Sequence, residues 1–127
     1  MDIGKLAVLI IEDAKSDLEI DEIILDRAGI IGYDTAQSEQ EAIQHFQKRT
    51  YNLVISDTMY GSCIPMGPPA VREAQKLGQK PVVVALSSHP DNEKLWEGLS
   101  DYFFDKHDFL SIKTTQLGRV LKEKFQI

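Results

Sequence analysis

Four short apolar runs in this chain each end in groups that can do chemistry. Val8-Leu9-Ile10-Ile11 leads into Glu12 and Asp13, and Leu53-Val54-Ile55-Ser56 into Asp57. Val83-Val84-Ala85-Leu86 leads into Ser87 and Ser88, and Tyr102-Phe103-Phe104 into Asp105 and Lys106. If these runs are strands of one parallel sheet, the groups meet at its carboxyl edge, where open α/β sheets bind ligands. Close carboxylates repel and raise one another's pKa values unless a cation joins them. Oxygen donors without clustered His or Cys point to Mg2+, or Mn2+ in its place, rather than zinc. Magnesium held by few protein ligands keeps open positions and commonly bridges to phosphate. A lysine and a hydroxyl are suitable partners for phosphoryl oxygens. The set reads as a magnesium-dependent phosphoryl site with an aspartate available as nucleophile.

Each piece taken alone has a plainer reading. Glu12-Asp13 suits a solvated strand-to-helix turn with Asp13 as a cap. Asp57 suits a turn. Ser87 and Ser88 suit a helix cap, and Lys106 an ordinary surface lysine. The joint placement at four strand ends favours the functional reading of the set.

The elements that must position these residues alternate along the chain. Strands are expected over 5–11, 30–35, 52–56, 82–86 and 101–104. The nearly continuous apolar runs suit a parallel sheet covered on both faces. The first helix is expected over 15–28, with Leu18, Ile24, Leu25 and Ala28 inward and Gly29 as its stop. Ser38 and Glu41 have capping-box spacing ahead of Ala42, Ile43 and Phe46. A third helix is expected from Pro69 to about 77, closed by Gly78. A short fourth follows over 90–97, and a last one runs from 109 or 111 to 125. Strand and helix alternate throughout, which argues for an α/β domain with a parallel sheet.

Composition narrows the function classes. A chain of 127 residues fits one ordinary domain and can bury a core without staples. The formal charge of −6 makes it a poor ligand for a phosphate backbone, so no direct nucleic-acid partner is expected. No apolar run is long enough to span a bilayer, and the amino end lacks a basic leader, so no membrane insertion is expected. The single cysteine, Cys63, fits a reducing, cytoplasmic setting. No Gly-rich phosphate loop follows the first strand.

With these residues in this order and spacing, the chain resembles the receiver domain of bacterial response regulators, over residues 6 to about 125. The resemblance implies a flavodoxin-like, doubly wound five-stranded parallel sheet of order 2-1-3-4-5 with five flanking helices, residues 1–127 forming one receiver domain. It implies that Asp57 takes a phosphoryl group from the phosphohistidine of a histidine kinase or histidine phosphotransfer domain. Asp13 and Asp57 would bind Mg2+, with Glu12 helping through water and the backbone carbonyl of Met59 as a further ligand. Ser87, in place of the more usual threonine, and Lys106 would hold the phosphoryl oxygens. Phe103 matches the aromatic switch position. Its turning inward is coupled to the hydroxyl moving toward the phosphoryl group. This remodels the face of the fourth helix, fifth strand and fifth helix for a downstream protein target or a homodimer. Such a protein is a signalling phosphoacceptor that assists its own phosphorylation and dephosphorylation, not an enzyme in the usual sense.

The chain departs from the family pattern in places. Gly61 occupies the usual proline position after Asp57, and Pro68 and Pro69 are expected to make the third helix start late. The loop over 58–69 is therefore unusual. His107 replaces the proline that commonly follows the lysine, so a cis bond is not expected there. Met59 and His89 stand where the family tunes water attack on the acyl phosphate.

Two alternatives compete. One is a phosphorylation-independent pseudo-receiver that serves as an interaction module, which the unusual loop favours. The other is a phosphatase of the haloacid-dehalogenase type, which needs an acid two residues after its nucleophile; Met59 stands there instead. Nothing after Ile127 offers an output domain, so either a stand-alone regulator or a piece of a larger protein is expected.

Overall fold

Three of the four apolar runs are buried almost throughout, as strands covered on both faces are, while the Tyr102–Phe104 run is half-buried at the sheet edge. The structure, a computed structural model, describes residues 1–61, 63–111 and 115–127. Ser62 of the loop and residues 112–114, which the sequence assigns to the last helix, lie outside the described residues. The strands are β1 (Val8–Ile11), β2 (Tyr33–Ala36), β3 (Leu53–Asp57), β4 (Val82–Ser87) and β5 (Tyr102–Asp105). They form one parallel sheet of order β2-β1-β3-β4-β5, as expected. Along β1, Val8 and Ile10 face one core while Leu9 and Ile11 face another. This is the period-2 alternation of a strand with two buried faces. The first core gathers Leu25, Phe109 and Val120, and the second gathers Phe46, Val71 and Trp96.

Helix α1 (Lys15–Arg27) packs its inward face with Leu18, Ile24 and Leu25 buried, and Gly29 follows it at φ +86. Only glycine takes that left-handed stop readily. In α2 (Glu39–Lys48), the Ser38 hydroxyl accepts from Glu41 N–H at 3.1 Å. The Glu41 carboxylate accepts from Gln37 N–H at 2.9 Å. The return bond of the expected capping box therefore goes one residue upstream of Ser38.

Differences from the expected elements have local causes. The second strand begins at Tyr33 because Ile30 turns into the core while Ile31 stands 79% exposed. Helix α3 (Gly67–Lys76) starts before the expected Pro69, with Pro68 and Pro69 in its first turn, where missing N–H groups leave nothing unpaired. Met59–Tyr60 pairs antiparallel with Ile64–Pro65 as a small hairpin, and Gly61 follows Tyr60 at φ +63. The Thr58 carbonyl closes this loop by accepting from Met66 N–H at 2.8 Å and Gly67 N–H at 3.2 Å.

The fourth helix is a 3-10 segment, Pro90–Trp96. A single helical turn, Lys106–Phe109, follows β5 directly and was not legible in the apolar pattern. The last helix, Gln116–Val120, continues as one π turn over Leu121–Phe125. The described residues contain no cis peptide bond, so the bond before His107 is trans as expected. Among the described residues, no helix is long and apolar enough to cross a membrane.

Candidate functional site

The strand register brings the predicted groups to one edge. Ile11 pairs with Ser56, Asp57 with Leu86, and Ser87 with Asp105. The residues just beyond β1 and at the ends of β3, β4 and β5 therefore emerge side by side. Glu12, Asp13 and Asp57 each offer a carboxylate oxygen, all within 4.8 Å of one another. Three hard oxygen donors at that spacing, with no nitrogen or sulfur, fit a small divalent cation such as Mg2+.

Asp57 is held from two sides. Its Oδ1 accepts from Thr58 N–H at 2.9 Å, and its Oδ2 from Lys106 Nζ at 2.9 Å. Asp13 Oδ2 accepts from Gly61 N–H at 3.1 Å, so the Gly61 backbone steadies this acid. Glu12, 1% exposed, accepts from Ala14 N–H at 3.2 Å and lies 2.9 Å from Lys106 Nζ. Burial and the neighbouring Asp57 charge raise the Glu12 pKa, against the pull of Lys106. Burial works against the Lys106 ammonium, but the carboxylates of Asp57, Glu12 and Asp17 outweigh it and raise its pKa.

A cleft of about 130 Å³ opens over Asp57, lined by Met59, Gly61, Ser87, Ser88, His89 and Lys106 among others. That is far above the roughly 10–15 Å³ that admits one water. Ser87 lines this cleft, yet its hydroxyl donates to the His89 carbonyl at 3.1 Å. Phe103 is half-buried against the core that holds Trp96. Asp105, placed by the sequence at the site's edge, is exposed and caps the Lys106–Phe109 turn through His107 N–H and Asp108 N–H.

Two acids on α1 belong to this neighbourhood and were missed. Asp17 Oδ2 lies 3.0 Å from Lys106 Nζ, making a third carboxylate on that ammonium. Asp21, one turn further on, is 1% exposed, and its Oδ1 has no hydrogen-bond partner. Its signal was present, since it breaks the apolar stripe between Leu18 and Ile24–Leu25. Burial pushes the Asp21 pKa up from 3.8 to about 8; Lys106 opposes this, while Asp17, Asp57 and Glu22 add to it.

The folded state thus binds the Asp21 proton more tightly than the unfolded chain does. The penalty is absent below about pH 4, grows as pH rises toward 8, and is full above it. Asp21→Leu is therefore expected to stabilise the fold by about 2 kcal/mol near pH 9 and by clearly less near pH 5. Urea unfolding at the two pH values checks this; an equal gain at both, or a loss at the higher one, would count against it.

Neither protein-family models nor curated proteins match this sequence. Solved structures do. The response regulator TrrA from Thermotoga maritima, in complex with Mg2+ and beryllium fluoride, is 22% identical. It superposes with a TM-score of 0.77 over 94% of this chain and 99% of its own. The chemotaxis protein CheY4 of Vibrio cholerae is 21% identical, with a TM-score of 0.75 over 91% of this chain and 98% of its own. The fold is that of response regulator receiver domains. The receiver fold also matches the receiver domain of the histidine kinase CKI1 from Arabidopsis thaliana, solved with Mg2+ and BeF3−. That match has 18% identity and a TM-score of 0.76, over 98% of this chain and 93% of the other.

Proposed function

We propose that residues 1–127 form a phosphoacceptor receiver of a two-component or phosphorelay system, with Asp57 as the acceptor. The observation that carries this is Asp57 itself. Its carboxylate lies on Lys106 at 2.9 Å, within reach of Glu12 and Asp13, and at the floor of an open cleft.

One oxygen of Asp57 forms the new O–P bond as the P–N bond to a donor imidazole breaks. The donor is the phosphohistidine of a histidine kinase or phosphotransfer domain. Lys106 meets the charge on the transferring oxygens, and its placement before the reaction is what makes that interaction effective. Magnesium, with manganese able to substitute, neutralises phosphoryl charge when bound. Asp13 and Asp57 would hold it directly, Glu12 through water and Met59 through its carbonyl. Ser87 turns from His89 to a phosphoryl oxygen, and Phe103 follows into the space that opens. The surface of the 3-10 helix, β5 and the last helix then changes for a downstream protein or a second copy of the chain. Such a module would work in the cytoplasm, without turnover of an external substrate.

Incubation with acetyl phosphate and Mg2+ tests this by intact mass. Wild type is expected to gain one phosphoryl group, and a normally folded Asp57→Asn variant none. No gain in wild type, beside a receiver that labels in the same tube, would leave a phosphate-independent binding module as the better reading.

A further inference from the structure

The Ser87 hydroxyl is fully committed. A serine hydroxyl has one proton to give and two lone pairs. The proton goes to the His89 carbonyl at 3.1 Å. His89 N–H donates to Oγ at 3.0 Å, and Asn92 Nδ2 donates to it at 2.9 Å. Ser87 is only 4% exposed, so no solvent competes freely for these bonds. Its partners begin the 3-10 helix Pro90–Trp96, with His89 as N-cap residue and Asn92 in the first turn.

The far end of that helix is tied to the acceptor by a second route. The Trp96 indole N–H donates to Thr58 Oγ1 at 2.9 Å, and Thr58 N–H donates to Asp57 Oδ1 at 2.9 Å. Trp96 is 1% exposed, so its end is fixed. Asn92 is half-buried and holds its end by one side-chain bond.

We propose that Asn92 is a positioning residue that holds the Ser87 hydroxyl in its phosphoryl-free arrangement, so that phosphoryl capture at Asp57 must release Asn92 and the first turn of the 3-10 helix. This deepens the receiver reading and rests on it. To serve a group on Asp57, the Ser87 hydroxyl takes its proton from the His89 carbonyl, and its oxygen moves away from Asn92 Nδ2 as it turns. Releasing that bond frees the mobile end of the segment, while the Trp96 end stays anchored. Occupancy of the site is thereby converted into a hinge-like movement of residues 90–92.

The test is binding of beryllium fluoride in the presence of Mg2+, measured by calorimetry. Wild type is compared with Asn92→Ala, and with Asn92→Leu, which keeps the bulk but lacks the donor. Both variants are expected to bind about three- to tenfold tighter, the equivalent of one net hydrogen bond no longer broken on binding. The gain is expected to vanish in a Ser87→Ala background, because nothing is left to release. A merely structural role for Asn92 would weaken binding, and in both backgrounds alike. Variants that bind no tighter than wild type, or a gain that persists without the Ser87 hydroxyl, overturn the inference while leaving the receiver reading intact. Wild type that does not bind beryllium fluoride at all removes the receiver reading and this inference together.

Discussion

Gly67→Ala is expected to destabilise the fold by about 3 kcal/mol, roughly 10 °C in the unfolding midpoint of a chain this size. A Cβ at this position would sit far inside contact distance of the Asp57 carbonyl oxygen and the Ser56 hydroxyl, and 2.7 Å from Trp96 Cη2. None of these can step aside. The Asp57 carbonyl belongs to the central strand β3, and Ser56 is 0% exposed. The Trp96 ring is buried and pinned by its bond to Thr58. The substitution must instead push α3 off the sheet, straining the two bonds from Met66 and Gly67 to the Thr58 carbonyl. Those bonds close the hairpin whose Gly61 N–H steadies Asp13. Stability and magnesium binding are therefore expected to fall together. A variant that unfolds within a degree or two of wild type would show that the close approach of α3 to Asp57 is wrong.

Lys106→Met is expected to slow phosphorylation from a small donor by about 100-fold, the usual scale for removing one preorganised partner of the developing charge. Its ammonium is the cation shared by Asp57, Glu12 and Asp17, and its side chain is only 12% exposed. No other Lys or Arg touches those acids in the described structure. The carboxylates of Glu12, Asp13 and Asp57 all remain in the variant, so magnesium binding is expected to survive. That separates a lost chemical partner from a collapsed site. Stability is also expected to fall, more near pH 8 than near pH 5, because Glu12, whose pKa burial raises, is then charged without compensation. A phosphorylation rate within a factor of a few of wild type would remove Lys106 from the reaction.

The strand ends were legible because apolar runs and their terminal polar residues lie in the primary sequence. Parallel pairing then brings those ends together. Asp17 and Asp21 were harder to read because helical spacing says which face a residue takes but not which side chain waits there. Asp21 sits among apolar positions of α1, and only the fold puts Lys106 near it. The Ser87 hydroxyl was identified by type and position, whereas its orientation toward His89 and Asn92 depends on a rotamer no pattern encodes. The segment after β4 was legible as helical but not as 3-10. With seven residues from Pro90 to Trp96 and an i to i+3 bond from Asn92 N–H to the His89 carbonyl, the tighter turn spans the distance. Pro65 hid the hairpin, because a proline without an N–H argues against a strand except at an edge, where this one lies.

Borohydride reduction of the phosphorylated protein tests the central claim most directly, since hydride converts an acyl phosphate to the alcohol and leaves phosphoserine untouched. After labelling with acetyl phosphate and Mg2+, peptide mapping is expected to find homoserine at position 57 and at no other aspartate. Homoserine at Asp13 or elsewhere, or phosphate that survives reduction on a serine, would contradict Asp57 as the acceptor.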